Sequence, residues 1–364
     1  MKIKEGNILI YYTFDVASEI QVEKLEKVMG KKPVESQIEC TKVTPKYIKY
    51  NPAPYMLKFG KKQLELDGKK LEFDVAAKLF EFGVVSIRFT IPYSGNLEDL
   101  EEISKDFSDN SALEKEATKY VDRIKKEISD LVVKPTDSHF IEDYMIFQVK
   151  DFDKPISAKD LLKDKTTLAR ILRSEGRVDL SPEEIERTLN SNLSYFQDDL
   201  VIVDWNAAFV YDPKASWDTL DVLEYANIEL LELRAYDTIL DKEIDVAYDA
   251  SIAKRMPLLI LSPYSSSIHR LEETKLDVMQ LTEKVENALK LVGDQYLANV
   301  YNAAKDAFFL DEWKSSVRKK LDIVDNFYST LYHKVQTERG MVLETLIVLL
   351  IVFEIIIAFL PGKG

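Results

Sequence analysis

Val84-Val-Ser-Ile-Arg-Phe-Thr-Ile-Pro92 alternates with a period of two, so Val85, Ile87, Phe89 and Ile91 share one face of an extended strand. Its β-branched and aromatic side chains suit a pleated, half-buried surface, and Gly83 just before it marks a turn or bulge. Ile8-Leu-Ile-Tyr-Tyr-Thr-Phe14 has the same chemistry and predicts a buried strand. Further strands are expected over residues 55–59, 63–66, 71–80 and 143–149, with a short one at 47–50. Asn51-Pro-Ala-Pro54 is a loop. Helices are expected over residues 15–29, from an Asn96 cap through Leu100 and Ile103, and over 112–131. Strands first, then helices, then a strand again predict an α+β fold: a mixed sheet domain over residues 1–150.

Residues 151–263 continue in the same style. Ser157-Ala-Lys-Asp160 opens a helix to Leu172, and Ser181-Pro-Glu-Glu184 places a serine cap, a proline and a capping glutamate in the order a helix start needs. Two short strands follow within residues 195–210, with Asp204-Trp-Asn206 as the turn between them. A long helix follows over residues 217–254, where Leu220, Leu223, Leu230, Leu231, Ile239 and Ile244 recur at helical spacing.

From Ile268 the apolar residues step by three and four. Ile268, Leu271, Val278, Leu281, Val285, Leu289 and Val292 form one run, and Trp313, Val317, Leu321, Val324, Tyr328, Leu331 and Val335 another. Residues 264–340 are therefore expected to form a coiled-coil-like helical hairpin turning near residues 309–312.

The chain then ends in Met341-Val-Leu-Glu-Thr-Leu-Ile-Val-Leu-Leu-Ile-Val-Phe-Glu-Ile-Ile-Ile-Ala-Phe-Leu360. Such a helix rises about 1.5 Å per residue and reaches roughly 30 Å, the thickness of a bilayer core. One C-terminal transmembrane helix, residues 341–360, is expected. The competing reading is a core helix buried within the chain.

Composition bounds the rest. The net charge of −14 over 364 residues opposes direct nucleic-acid binding. Cys40 is the only cysteine, so no intrachain disulfide can form and a reducing compartment fits. The N-terminus carries charges where a signal peptide needs an apolar run. The expected placement is a single-pass membrane protein with its N-terminal domain in the cytoplasm, at a bacterial inner membrane. Lys334 and Arg339 on the inner side agree with this orientation.

No catalytic constellation is visible. His139, His269 and His333 lie far apart, and no phosphate loop, dinucleotide fingerprint or nucleophile elbow occurs. Asp198-Asp199 and Glu183-Glu184 sit at element ends, where solvation or capping explains them. Asp241, Asp245 and Asp249 make a solvated acidic stripe. No catalytic residue, cofactor or metal is therefore expected. Arg88, Arg234, Asp204 and Trp205 are the positions at which a ligand pocket or a structural ion pair is sought. Glu344 and Glu354, about 80° apart on one helix, are the least ordinary polar residues, because an ionisable group inside a membrane is a functional candidate by default. They are expected to border one interface between neighbouring copies.

Glu338-Arg-Gly-Met-Val-Leu-Glu-Thr-Leu-Ile-Val-Leu-Leu-Ile-Val-Phe-Glu354 resembles the C-terminal signature of the "required for meiotic nuclear division" family, also called the YagE-like domain of unknown function. Arg339, Leu343-Glu344 and Glu354 match its arginine, Leu-Glu pair and second glutamate. Tyr11-Tyr-Thr-Phe-Asp15 and Phe82-Gly-Val-Val85 are similar to its other landmarks. Thr345 stands where many members carry tryptophan, and the central strand lacks an aromatic pair common in eukaryotic relatives, as in a divergent prokaryotic branch. The resemblance implies no enzymatic reaction. Among eukaryotic relatives it implies an inner-membrane mitochondrial protein that supports organellar translation through large assemblies. The expected function is a non-enzymatic, membrane-anchored scaffold that forms a homo-oligomer and recruits a further protein. The alternative is an enzyme or ligand sensor with an unfamiliar site in the α+β domain.

Overall fold

The computed structural model describes residues 1–29, 37–38, 48–49, 54–66, 69–136, 140–252, 275–276, 279 and 295–359. In chain order the elements begin β1 (Lys2–Asp15), β2 (Ala17–Ile20), α1 (Val22–Met29), β3 (Gln37–Ile38), β4 (Ile48–Lys49), β5 (Tyr55–Leu66), β6 (Lys69–Leu79) and β7 (Val84–Asn96). A short 3-10 turn leads into α2 (Leu100–Phe107) and α3 (Ser111–Glu127), followed by β8 (Val132–Pro135) and β9 (Ile141–Phe152). Then come α4 (Ala158–Leu161), α5 (Lys165–Arg173), α6 (Pro182–Thr188), β10 (Asn192–Leu193), β11 (Leu200–Val203) and β12 (Ala207–Tyr211). The helices α7 (Asp218–Ile252), α8 (Gln295–Ala307) and α9 (Leu310–Phe359) complete the described chain.

The chain is α+β. Eight strands make one mixed sheet in the order β10-β11-β12-β9-β1-β7-β6-β5, in which only the β12–β9 pair is parallel. The long central pairing of β1 with β7 sets Ile10 opposite Phe89 and Tyr12 opposite Ile87. That face carries the apolar core. Ile8, Ile10, Phe14, Val85, Ile87, Phe89 and Phe147 pack with Leu100, Leu113, Val121, Leu168 and Ile171 from the helices.

Two capped helices explain why that layer starts where it does. Asn110 accepts from the amides of Ala112 and Leu113, both at 3.1 Å, to open α3. Ser181 accepts from Glu184 N ahead of Pro182 to open α6, as its sequence predicts.

Several expectations are corrected locally. The helix expected from residue 15 starts only at Val22, because Ala17–Ile20 is drawn into a strand by pairing with β8. The strands expected at 55–59 and 63–66 are one strand, bent at Gly60 where the register shifts. Asn96 makes no side-chain cap, and its amide reaches Asp99 instead. The helix expected from Ser157 to Leu172 is two helices. Most of the first hairpin arm, residues 268–292, lies outside the described residues. The break before the second arm is present: Phe309 adopts φ 52°, between α8 and α9.

Two compact units are distinguished. One comprises Met1–Ala235 with Gln280–Lys314, and the other Tyr236–Met279 with Ser315–Gly364. Within the second, Lys320 bridges Asp237 and Asp241 at 2.8 and 2.6 Å, and Val317, Val324 and Tyr328 are buried. Its α9 segment ends in Gly340–Ile357, the one window among the described residues long and apolar enough to cross a membrane. None of that window is buried within the chain, so the alternative of an intramolecular core helix is not what is seen.

Candidate functional site

The second face of the sheet sets a group of polar side chains among buried apolar ones such as Leu9, Ile146 and Val210, and the two-residue period places them there. If Val85, Ile87 and Phe89 point to the core, Ser86 and Arg88 point away from it. Register then lines up two rows. Glu142, Thr13, Ser86 and Lys78 stand side by side across β9, β1, β7 and β6, and Tyr144, Tyr11, Arg88 and Ala76 form the next row. The first half of α7 covers them.

Helical spacing brings acids from α7 onto the first row. Lys78 Nζ lies 2.6 Å from Asp221 Oδ1 and 2.6 Å from Glu224 Oε2, and Ser86 Oγ donates to Glu224 Oε1 at 2.6 Å. Lys78, Ser86, Asp221 and Glu224 are all buried. Burial alone would lower the lysine's pKa, but the two carboxylates outweigh it and hold the ammonium charged. Asn227 Nδ2 reaches Thr13 Oγ1 at 3.4 Å. Further along, Arg234 pairs with Glu142 and lies 6.0 Å from the Trp313 ring. Burial raises Glu142 to about 7, against the pull of Arg234.

Arg88 sits in the second row with its guanidinium 4.4 Å from the centre of the Trp217 ring. Burial opposes its charge, which the nearby Tyr11, Glu224 and Asp221 favour. Trp217 is 44% exposed and roofs the arginine from outside.

The Asp204-Trp205 turn lies between β11 and β12, as its sequence predicts. Asp204 N donates to Ala207 O, Tyr144 donates its hydroxyl to Asp204 O at 3.0 Å, and Arg173 pairs with the Asp204 carboxylate at 3.3 Å. Burial raises the Asp204 carboxyl, with Arg173 opposing. Trp205 meets Phe308 edge-on and Phe309 at a tilt, with ring centres 6.4 and 6.0 Å away. Arg88, Arg234 and Asp204 therefore each have a separate structural neighbourhood and do not converge on one point.

Among the described residues no group of three or more His, Cys, Asp or Glu side chains could hold a metal ion. On α9, Glu344 and Glu354 are exposed within the apolar window, and Arg339 lies in the same helix with its side chain outside the described residues. Lys78, Ser86, Asp221, Glu224 and Trp217 were not singled out from sequence. The available signal was a lysine inside an apolar strand, and Trp217, Asp221 and Glu224 at four- and three-residue steps.

Residues 5–217 match the family described as "Uncharacterized protein MJ0711, N-terminal domain". The match takes in the whole sheet from within β1 and stops at Trp217, one residue before α7. A Methanocaldococcus jannaschii protein, "Uncharacterized protein MJ0711", is 27% identical over 262 residues, covering 71% of this chain and 77% of that one. No solved structure matches.

Proposed function

This chain belongs to the family of the MJ0711 N-terminal domain, and we propose that it is a non-enzymatic, membrane-anchored scaffold. Its N-terminal α+β unit faces the cytoplasm of a prokaryotic cell, its helices self-associate in a coiled-coil-like manner, and the assembly recruits a further protein. The observation that carries this reading is α9: one helix of 50 residues whose last part is an apolar window with no part of it buried. A helix in water would not leave such a surface open, and a bilayer is the solvent it suits.

The charged residues on which a reactive centre would depend support the same reading, because they are engaged internally. Lys78 is held by two carboxylates, Arg234 by Glu142 and Asp204 by Arg173. Such pairs fix helix to sheet and leave little free for a substrate. The alternative, an enzyme or ligand sensor, draws on Arg88, which is half-buried beneath Trp217 and forms no ion pair among the described residues. The likeness of residues 338–354 to the "required for meiotic nuclear division" family favours a role beside translation. Chromatography of the full chain in mild detergent tests the scaffold: an oligomer is expected. A monomer unaffected by deleting residues 264–340 would contradict self-association.

A further inference from the structure

We propose that the apolar end of α9 pairs in parallel with the same helix of a second copy, through the face formed by Gly340, Glu344, Ile347, Ile351 and Glu354. The inference rests on the membrane reading above and adds the partner and the contact face.

The face is defined by geometry. The five positions are separated by steps of four, three, four and three residues, the spacing that keeps one seam facing a partner helix in a left-handed pair. At about 100° per residue they fall within a stripe roughly 80° wide. All five are exposed. Gly340 leaves open space at the start of the stripe, where a Cβ would meet nothing within 4 Å. The opposite side presents bulky Leu349 and Phe353. Helices in lipid associate where small residues allow close approach and polar side chains hydrogen-bond across the interface. The Gly340–Glu354 face offers a glycine together with both glutamates of the window.

The chemistry selects a second copy as occupant. A carboxyl group in hydrocarbon is costly unless a polar partner hydrogen-bonds to it. A carboxylic acid group can both donate and accept, so two of them facing each other complement one another. Every copy of a single-span protein inserts in the same direction, which makes a parallel two-fold pair place Glu344 against Glu344 and Glu354 against Glu354 at equal depth. An identical helix therefore satisfies both carboxyls together.

Cysteine cross-linking in native membranes tests this. Cys40→Ser removes the only cysteine of the full-length chain, and single substitutions Ile347→Cys, Ile351→Cys, Leu349→Cys and Phe353→Cys are compared under mild oxidation. Dimer yield should be several-fold higher at 347 and 351 than at 349 and 353. Adding Glu354→Gln to Ile351→Cys should preserve the cross-link, and adding Glu354→Leu should reduce it strongly. Equal yields around the helix, a maximum at 349 and 353, or indifference to Glu354→Leu would overturn the pairing. Release of the chain from carbonate-washed membranes would overturn the membrane reading as well, whereas retention without face preference overturns the pairing alone.

Discussion

Lys78 Nζ lies 2.6 Å from Glu224 Oε2, although 146 residues of chain separate them. The contact joins the second face of the sheet to α7, and Asp221 and Ser86 complete it. A buried ion pair is weak evidence of net stabilisation, because desolvation offsets much of the attraction. Losing one member is costly all the same, since the others stay buried and unpaired.

Lys78→Met should therefore destabilise the fold by about 3–5 kcal/mol, with two carboxylates left against each other. Urea unfolding measures the loss. Combining Lys78→Met with Asp221→Leu and Glu224→Gln should recover most of it. A single variant as stable as the parent chain would show that the three groups are not coupled.

Glu142 predicts a pH dependence whose sign can be worked out. Its folded-state pKa, about 7, lies above the ordinary value of 4.5, with burial as the largest cause. The native state thus binds the proton more tightly than the unfolded chain. The favourable contribution is complete below about pH 4.5 and is lost as pH rises through about 7. Glu142→Gln has no such titration. The stability difference between the two chains should change across this window and be flat above it, as read from thermal melts at several pH values.

How much of this was legible in the sequence depends on the range of the interaction. The alternation of Val85, Ile87 and Phe89 identifies a strand and its core face, because the period is local. Ser181 identifies a helix start for the same reason. Ala17–Ile20 was expected to be helical and is a strand, since its partner β8 lies more than a hundred residues away. Lys78 gave no warning either: nothing near it in sequence shows that Asp221 and Glu224 will cover it. Arg234 was expected in an ion pair or at a ligand, and its partner Glu142 could only come from the sheet register.

Gly83 holds β2 against the turn after β6. Its φ is +93°, and an added Cβ would lie 1.5 Å from the carbonyl oxygen of Ala17. That oxygen belongs to backbone and cannot swing away. Gly83→Ala should cost about 3 kcal/mol or more through strain and displacement of β2. Hydrogen exchange at Val16, whose amide donates to Gly83 O at 3.0 Å, should quicken well beyond that of the central strands.

Asn110 offers a smaller, cleaner test. Asn110→Ala removes the acceptor of two α3 amides and should cost about 1 kcal/mol. Asn110→Asp keeps the acceptor and should restore most of the loss, measured by the midpoint of urea unfolding.

Retention on the membrane tests the account most directly. Membranes holding either the full chain or a chain truncated after Gly340 are washed with alkaline carbonate, and pellet and supernatant are compared. The Gly340–Ile357 window predicts that the full chain stays in the pellet and the truncated chain is released. Release of the full chain into the supernatant would contradict the membrane anchor.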